Sequence, residues 1–231
     1  VISMASEPRL FQDFLGHLSD VCAGNIGQIR IHNGVVANAE LAKSSWARKL
    51  LPGISTSIVQ RGNLGLSLAH LSMWSRINES SQCQAPGAQN KYVLVFEDDE
   101  RPKTVFQAGL MEVLRAVGRL PSGRRPDMIN LNAHRANGSH VALLDLPDRT
   151  RLLSIRKDLG NLTRFKSLRP NVWMSAYLVR CGGAKALLRE GGTYPYGNLA
   201  YDGQLPIFDQ HMADVLSSPN TSVFGFVLTP E

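Results

Sequence analysis

A chain of 231 residues, 43% hydrophobic and 19% charged, has an ordinary globular composition and is long enough for one large domain. No stretch reaches the roughly 18–20 apolar residues of a membrane span, so none is expected in this chain. The net charge of +6 is scattered. Its densest cluster, Arg115, Arg119, Arg124 and Arg125, has no interleaved aromatics and no nucleic-acid motif, which argues for a solvated face and against a nucleic-acid partner.

Val1–Met4 is a short apolar run that suits a first strand. Pro8 then suits a helix start, and Leu10, Phe11, Phe14, Leu15 and Leu18 recur at helical spacing. The opening residues Val1–Leu10 include Glu7, Pro8 and Arg9 and lack the apolar run of a signal peptide. A second strand is expected over Gln28–His32, closed by the turn dipeptide Asn33-Gly34, then a helix over Ala39–Leu51 and a weak strand at Ser55–Val59. Gly62–Ile77 is the clearest helix, with Leu64, Leu68, Leu71 and Trp74 on one side. Gly62 and Gly65 weaken its first turns; they suit either a close approach to a ligand or a tight packing contact. His70, in mid-helix, suits a hydrogen-bonded core position or a ligand contact. Glu79–Asn90 reads as a polar surface loop.

Tyr92–Phe96 is a continuous apolar run that reads as a buried strand, and it ends directly in Glu97, Asp98 and Asp99. Ligands of open α/β sheets bind at the carboxyl ends of strands. Three adjacent carboxylates repel one another unless a cation offsets them, and all-oxygen clusters suit Mg²⁺ or Mn²⁺. A solvated acidic turn is the plainer alternative.

Downstream, Thr104 can cap a helix reaching Leu120, followed by a short strand at Met128–Leu131. Val141–Leu146 and Leu152–Ile155 read as a hairpin at an antiparallel edge. Val172–Val179 is a further strand, Gly183–Arg189 a helix, and Glu190–Gln204 a Gly- and Tyr-rich loop of the kind that forms lids. Pro206–Leu216 is a helix carrying Asp209 and His211 in its first turn, and Ser222–Leu228 closes the chain as a strand. This alternation predicts a single α/β domain over residues 1–231, three-layered, with a mixed, mostly parallel sheet. The three cysteines, Cys22, Cys83 and Cys181, form no CxxC pair or zinc pattern, and allow one disulfide without requiring it.

The paired segments GNLGLSLAHLSMWSRI and YVLVFEDDE resemble glycosyltransferase family 25, the lipooligosaccharide-biosynthesis and procollagen galactosyltransferases. Gly62, Gly65, His70 and Trp74 match that family's helix, with Ala69 in place of its usual Ser. Arg9 matches the Arg of its first helix. His32-Asn33-Gly34 stands at its Ala-Val-Asp-Gly turn, with Asn for Asp. WMSAYLVRCGGAKALL, which contains Tyr177, is similar to a later block, and LPIFDQHM is similar to the family's Pro-x-Asp segment through Asp209.

The resemblance implies a GT-A-type fold, a nucleotide-sugar donor such as UDP-galactose or UDP-glucose, a divalent cation (Mn²⁺ or Mg²⁺) and inversion at the anomeric carbon. The acceptor would be a glycan or protein hydroxyl. It further implies that Asp99 makes the direct metal bond, that Glu97 or Asp98 holds the ribose or the hydrated metal, and that Arg9, Gly62, Gly65, His70 and Tyr177 line the substrate site.

An acceptor hydroxyl needs a general base. Asp209 is the first candidate and Asp202 the second, although an acid at a helix N-terminus is also favoured by the macrodipole alone. His211 suits a further metal ligand or a solvent-facing side chain. Arg9, Arg156, Lys157, Arg164 and Lys166 can meet a diphosphate, and Tyr194, Tyr196, Tyr201 and Trp173 can stack on sugar or base. The rivals are a metal-dependent phosphoesterase, a nucleic-acid-binding module and a non-catalytic sugar-binding relative. Sequons at Asn78, Asn137, Asn161 and Asn220 hint at a secretory lumen and are equally compatible with a bacterial or viral cytosol.

Overall fold

A computed structural model describes residues 1–4, 8–22, 29–54, 61–102, 106–131, 140–145, 150–155, 174–193, 208–217, 221–223 and 225–230. The strand expected at 55–59 lies outside these residues. So do Thr104, Trp173, Tyr194, Tyr196, Tyr201, Asp202, the four basic residues between 156 and 166, and the sequons at Asn137, Asn161 and Asn220.

The chain opens with β1 (Ile2–Ser3), α1 (Pro8–Val21) and β2 (His32–Asn33). β1 and β2 pair in parallel, so Asn33-Gly34 continues an extended segment rather than making the expected turn. The helix expected over 39–51 is two helices, α2 (Ala39–Lys43) and α3 (Ser45–Leu50). Ser44 divides them because its backbone is extended and its hydroxyl caps α3 by accepting from Ala47 N at 3.1 Å. α4 (Arg61–Glu79) follows, then a short α5 (Ser81–Gln84) inside what reads in the sequence as loop, then β3 (Tyr92–Phe96) and α6 (Phe106–Gly118). β4 (Met128–Asn130), the hairpin β5 (His140–Asp145) and β6 (Thr150–Ile155), and β7 (Ala176–Arg180) come next. α7 (Ala184–Gly191), α8 (Phe208–Ser217) and β8 (Gly225–Pro230) complete the described elements.

Six strands form one sheet in the order β3-β7-β4-β8-β6-β5. Only β4 and β8 pair in parallel within it; the other ladders are antiparallel, which corrects the expectation of a mostly parallel sheet. The reason lies in β7, which inserts against the grain between β3 and β4, and in the β5–β6 hairpin at the far side. Direction is nevertheless shared more widely than pairing. β1 and β2 join the end of β3 through a parallel bridge between Ile2 and Glu97 and a bond from Asp98 N to Ile2 O of 3.1 Å. Hence β1, β2, β3, β4 and β8 all deliver their carboxyl ends to one edge of the molecule, where β7 begins.

Helices cover both faces of β3, β7 and β4, whose side chains alternate between the two. Val95, Met128, Tyr177 and Val179 face α3, α4, α7 and α8. On the opposite face Ile129 and Leu178 meet Val113 and Val117 of α6, while Phe96 and Ala176 meet Phe14 and Leu18 of α1. The α4 stripe is as the spacing predicts: Leu64, Leu68, Leu71 and Trp74 are all fully buried, each worth about 1.5–3 kcal/mol of transfer free energy.

Gly65 shows what its residue type is for. A Cβ there would collide with the Val35 carbonyl oxygen, on the segment just after β2. The glycine therefore serves a chain-to-chain packing contact, whereas Gly62 is exposed with open space around it. In a free helix Gly65→Ala would add about 1 kcal/mol of stability. Here the clash is with backbone and costs about 1–3 kcal/mol, so the expected net result is a lower urea midpoint.

Cys83 and Cys181 form a disulfide across 98 residues of sequence, and Cys22 is free and buried. The bridge ties α5 to the end of β7 that lies opposite the acids. Closing a loop of that length restricts the unfolded chain by about 4–5 kcal/mol in the chain-entropy treatment. Reduction, or Cys83→Ser with Cys181→Ser, is expected to lower unfolding stability by about 2–5 kcal/mol, read as a shift of the urea midpoint with and without reductant.

Candidate active site

β3 delivers Glu97, Asp98 and Asp99 to the shared carboxyl edge. Asp98 turns inward; it is only 8% exposed, and its Oδ2 is buried without a hydrogen-bond partner. Asp99 faces out. Partial desolvation, and then repulsion from Glu97, raise its carboxyl above the usual range.

Glu97 meets the middle of α4. His70 is fully buried and lies between two partners, with Nδ1 at 2.7 Å from the Tyr177 hydroxyl and Nε2 at 3.3 Å from Glu97 Oε1. Its ring stacks on Phe208 with centroids 5.9 Å apart and planes inclined by 14°. Trp74, one helical turn after His70, packs beside it, with its ring 6.4 Å from the imidazole. Tyr177 is also fully buried. Burial first, then the charges of Glu97 and Asp209, push its phenol well above its ordinary value, so it stays protonated.

α8 brings Asp209 to the same cluster. Burial pushes its carboxyl up to about 6; the nearby His70 opposes that rise, Glu97 reinforces it, and a backbone hydrogen bond from Met174 opposes it. Its Oδ1 is buried without a partner. A half-buried carboxyl titrating near neutrality can accept a proton at physiological pH.

No protein-family model matches the chain, and no curated protein matches it.

The structure therefore gathers Glu97, Asp98, Asp99, His70, Tyr177 and Asp209, which are scattered over 140 positions of sequence. Arg9 is exposed in the first turn of α1, just beyond β1 and so at the carboxyl edge of that strand. His70 and Tyr177 are fully buried and bond each other, and His70 alone of the two also bonds Glu97. Gly65 packs on backbone rather than on a ligand.

His211, two residues after Asp209, is about 200° further round the helix. Its Nε2 bonds the Glu190 carbonyl at 3.3 Å, and burial lowers its pKa. Among the described residues no three His, Cys, Asp or Glu side chains stand in metal-ligand geometry, so His211 does not complete a cage with Glu97 and Asp99.

Two further features escape a reading of the sequence. Phe208 supplies the stacking face for His70, and its only sequence signal is an apolar residue immediately before Asp209. His32, the first residue of β2, accepts from Arg76 at Nδ1 (3.0 Å) and bonds Ser72 Oγ through Nε2 at 2.7 Å. Burial and then the Arg76 charge depress its pKa to about 4. That neutral histidine seats β2 on α4 and so holds the carboxyl edge together.

Proposed function

We propose that this chain is an inverting, divalent-cation-dependent glycosyltransferase of the family-25 type, moving a hexose from a nucleoside diphosphate to a glycan or protein hydroxyl. The observation that carries it is the convergence of Glu97, Asp99 and Asp209 on one strand edge, with buried, unpartnered oxygens on Asp98 and Asp209. The shared direction of β1, β2, β3 and β4, the reversed β7 between the last two, and helices on both faces support a three-layer, GT-A-like arrangement.

The donor set fits a cation of the Mg²⁺ or Mn²⁺ kind. Such ions take one or two carboxylates and fill the remaining positions with substrate phosphates and water. Asp99, with Glu97 beside it, meets that need, and the repulsion between the two carboxylates would be relieved. A diphosphate brought to so acidic an edge without a counter-charge would be repelled. When bound, the cation would supply Lewis-acid stabilisation of the departing diphosphate.

The residues of the chain would do the rest. Asp209 takes the proton from the acceptor hydroxyl as its oxygen bonds to the anomeric carbon. The bond from that carbon to the diphosphate breaks, and the electron pair leaves with the diphosphate. Asp98, whose Oδ2 is buried without a partner, would accept from a donor hydroxyl. The exposed Arg9 supplies positive charge at the rim. The Cys83–Cys181 disulfide favours an oxidising compartment such as a secretory lumen.

The test is release of UDP from UDP-galactose and UDP-glucose with Mn²⁺ and with chelator. Release that requires the metal supports the proposal. Release unaffected by chelator, or none from any nucleotide sugar, sinks it.

A further inference from the structure

We propose that His70 and Tyr177 are positioning residues: the Tyr177 hydroxyl donates to His70 Nδ1, this fixes the proton on Nε2, and Nε2–H holds the Glu97 carboxylate at the strand edge. The inference deepens the glycosyltransferase proposal and rests on it for the role of Glu97.

The donors and acceptors of this closed space constrain one another. Glu97 as a carboxylate can only accept, so the proton must sit on His70 Nε2. Nδ1 of the same neutral ring is then an acceptor, and the Tyr177 hydroxyl, 2.7 Å away, has a proton to give it. The third polar group nearby, the Trp74 indole N–H, can only donate; it approaches the Tyr177 oxygen and has no partner of full hydrogen-bond geometry. An imidazolium would reverse the Tyr177 bond and leave the phenol proton with no acceptor among these groups. The Tyr177 and His70 protons both find acceptors only in the order Tyr177, His70, Glu97. Stacking on Phe208 fixes the plane of the ring, so the Nε2–H direction is set from both sides. Histidines oriented in this way by a buried partner hold ligand carboxylates in place, and losing them lowers metal affinity or activity by about 10–100-fold.

The experiment uses the full chain with ¹⁵N-labelled histidine. Long-range ¹H–¹⁵N correlation is expected to show His70 as one neutral tautomer protonated on Nε2, and Tyr177→Phe, which keeps the ring, is expected to move the Nδ1 resonance, since that nitrogen loses its donor. A proton on Nδ1 in the parent chain, or a spectrum unchanged by Tyr177→Phe, overturns the proposal.

Two His70 variants separate positioning from packing. His70→Gln keeps an N–H donor for Glu97, whereas His70→Phe keeps only the aromatic packing. Positioning predicts that Gln retains more transfer, with a loss of about 10–100-fold in kcat for Phe and the donor KM nearly unchanged. A merely structural role predicts the reverse order, since Phe suits a buried aromatic pocket better than an amide does; that result overturns the proposal. If the parent chain turns over no nucleotide sugar, the functional proposal falls, while the nitrogen spectrum still decides the hydrogen-bond order.

Discussion

Asp209→Asn is expected to abolish sugar transfer and, at neutral pH, to make the fold more stable. General-base catalysis contributes about 10²–10⁴-fold, and the amide cannot take the proton. The stability gain follows from linkage. Burial raises the Asp209 pKa from 3.8 to about 6 in the folded chain. A carboxyl with a raised folded pKa contributes stability that is complete below about pH 4 and is lost as pH rises through about 6.

The full difference corresponds to at most about 3 kcal/mol at pH 7.5, withheld from the parent and restored in part by the uncharged amide. Thermal unfolding at pH 4 and pH 7.5 reads it directly: the variant's advantage is expected at the higher pH and absent at the lower. Parent transfer is expected to rise with pH through about 6 and then level off. A variant that is stabilised and still fully active would show that Asp209 is buried for packing and is not the base.

Asp99→Ala is expected to remove metal-dependent release of UDP, by about a thousandfold if the cation supplies the several kcal/mol usual for Lewis-acid stabilisation. Chelator should reduce the parent to the same level. Because Asp99 is exposed, its removal should leave the unfolding midpoint nearly unchanged, so loss of activity cannot be assigned to loss of fold. Turnover that survives both the substitution and chelator would rule out the cation at Asp99. Metal-dependent release of phosphate from simple esters, with nucleotide sugars untouched, would favour the phosphoesterase alternative.

The acidic strand end, the α4 stripe and the β5–β6 hairpin were all legible in the order of residues, because each depends on local pattern. The run Tyr92–Phe96 reads as an apolar strand, and Leu64, Leu68, Leu71 and Trp74 recur with the period of a helix. Other features turn on contacts that no local pattern records. Whether Gly65 faces a ligand or a chain depends on where Val35 passes. Ser44 divides a single expected helix because a side-chain oxygen competes with a backbone bond. Cys83 and Cys181 become a pair only once α5 lies beside the end of β7.

The acids show the same division. The sequence alone determined that Glu97, Asp98 and Asp99 end an apolar strand; the structure sets that strand at the edge of the sheet with only Val95 and Phe96 buried. The sequence also placed Asp209 near the start of a helix. Only the tertiary structure decided what those carboxyls are. It joined Glu97 to His70 and Tyr177, left buried oxygens on Asp98 and Asp209 unpartnered, and withdrew His211 toward Glu190. The physical reason is that a carboxyl's charge state and orientation are set by desolvation and by neighbours in space, and here those neighbours come from α4, β3, β7 and α8.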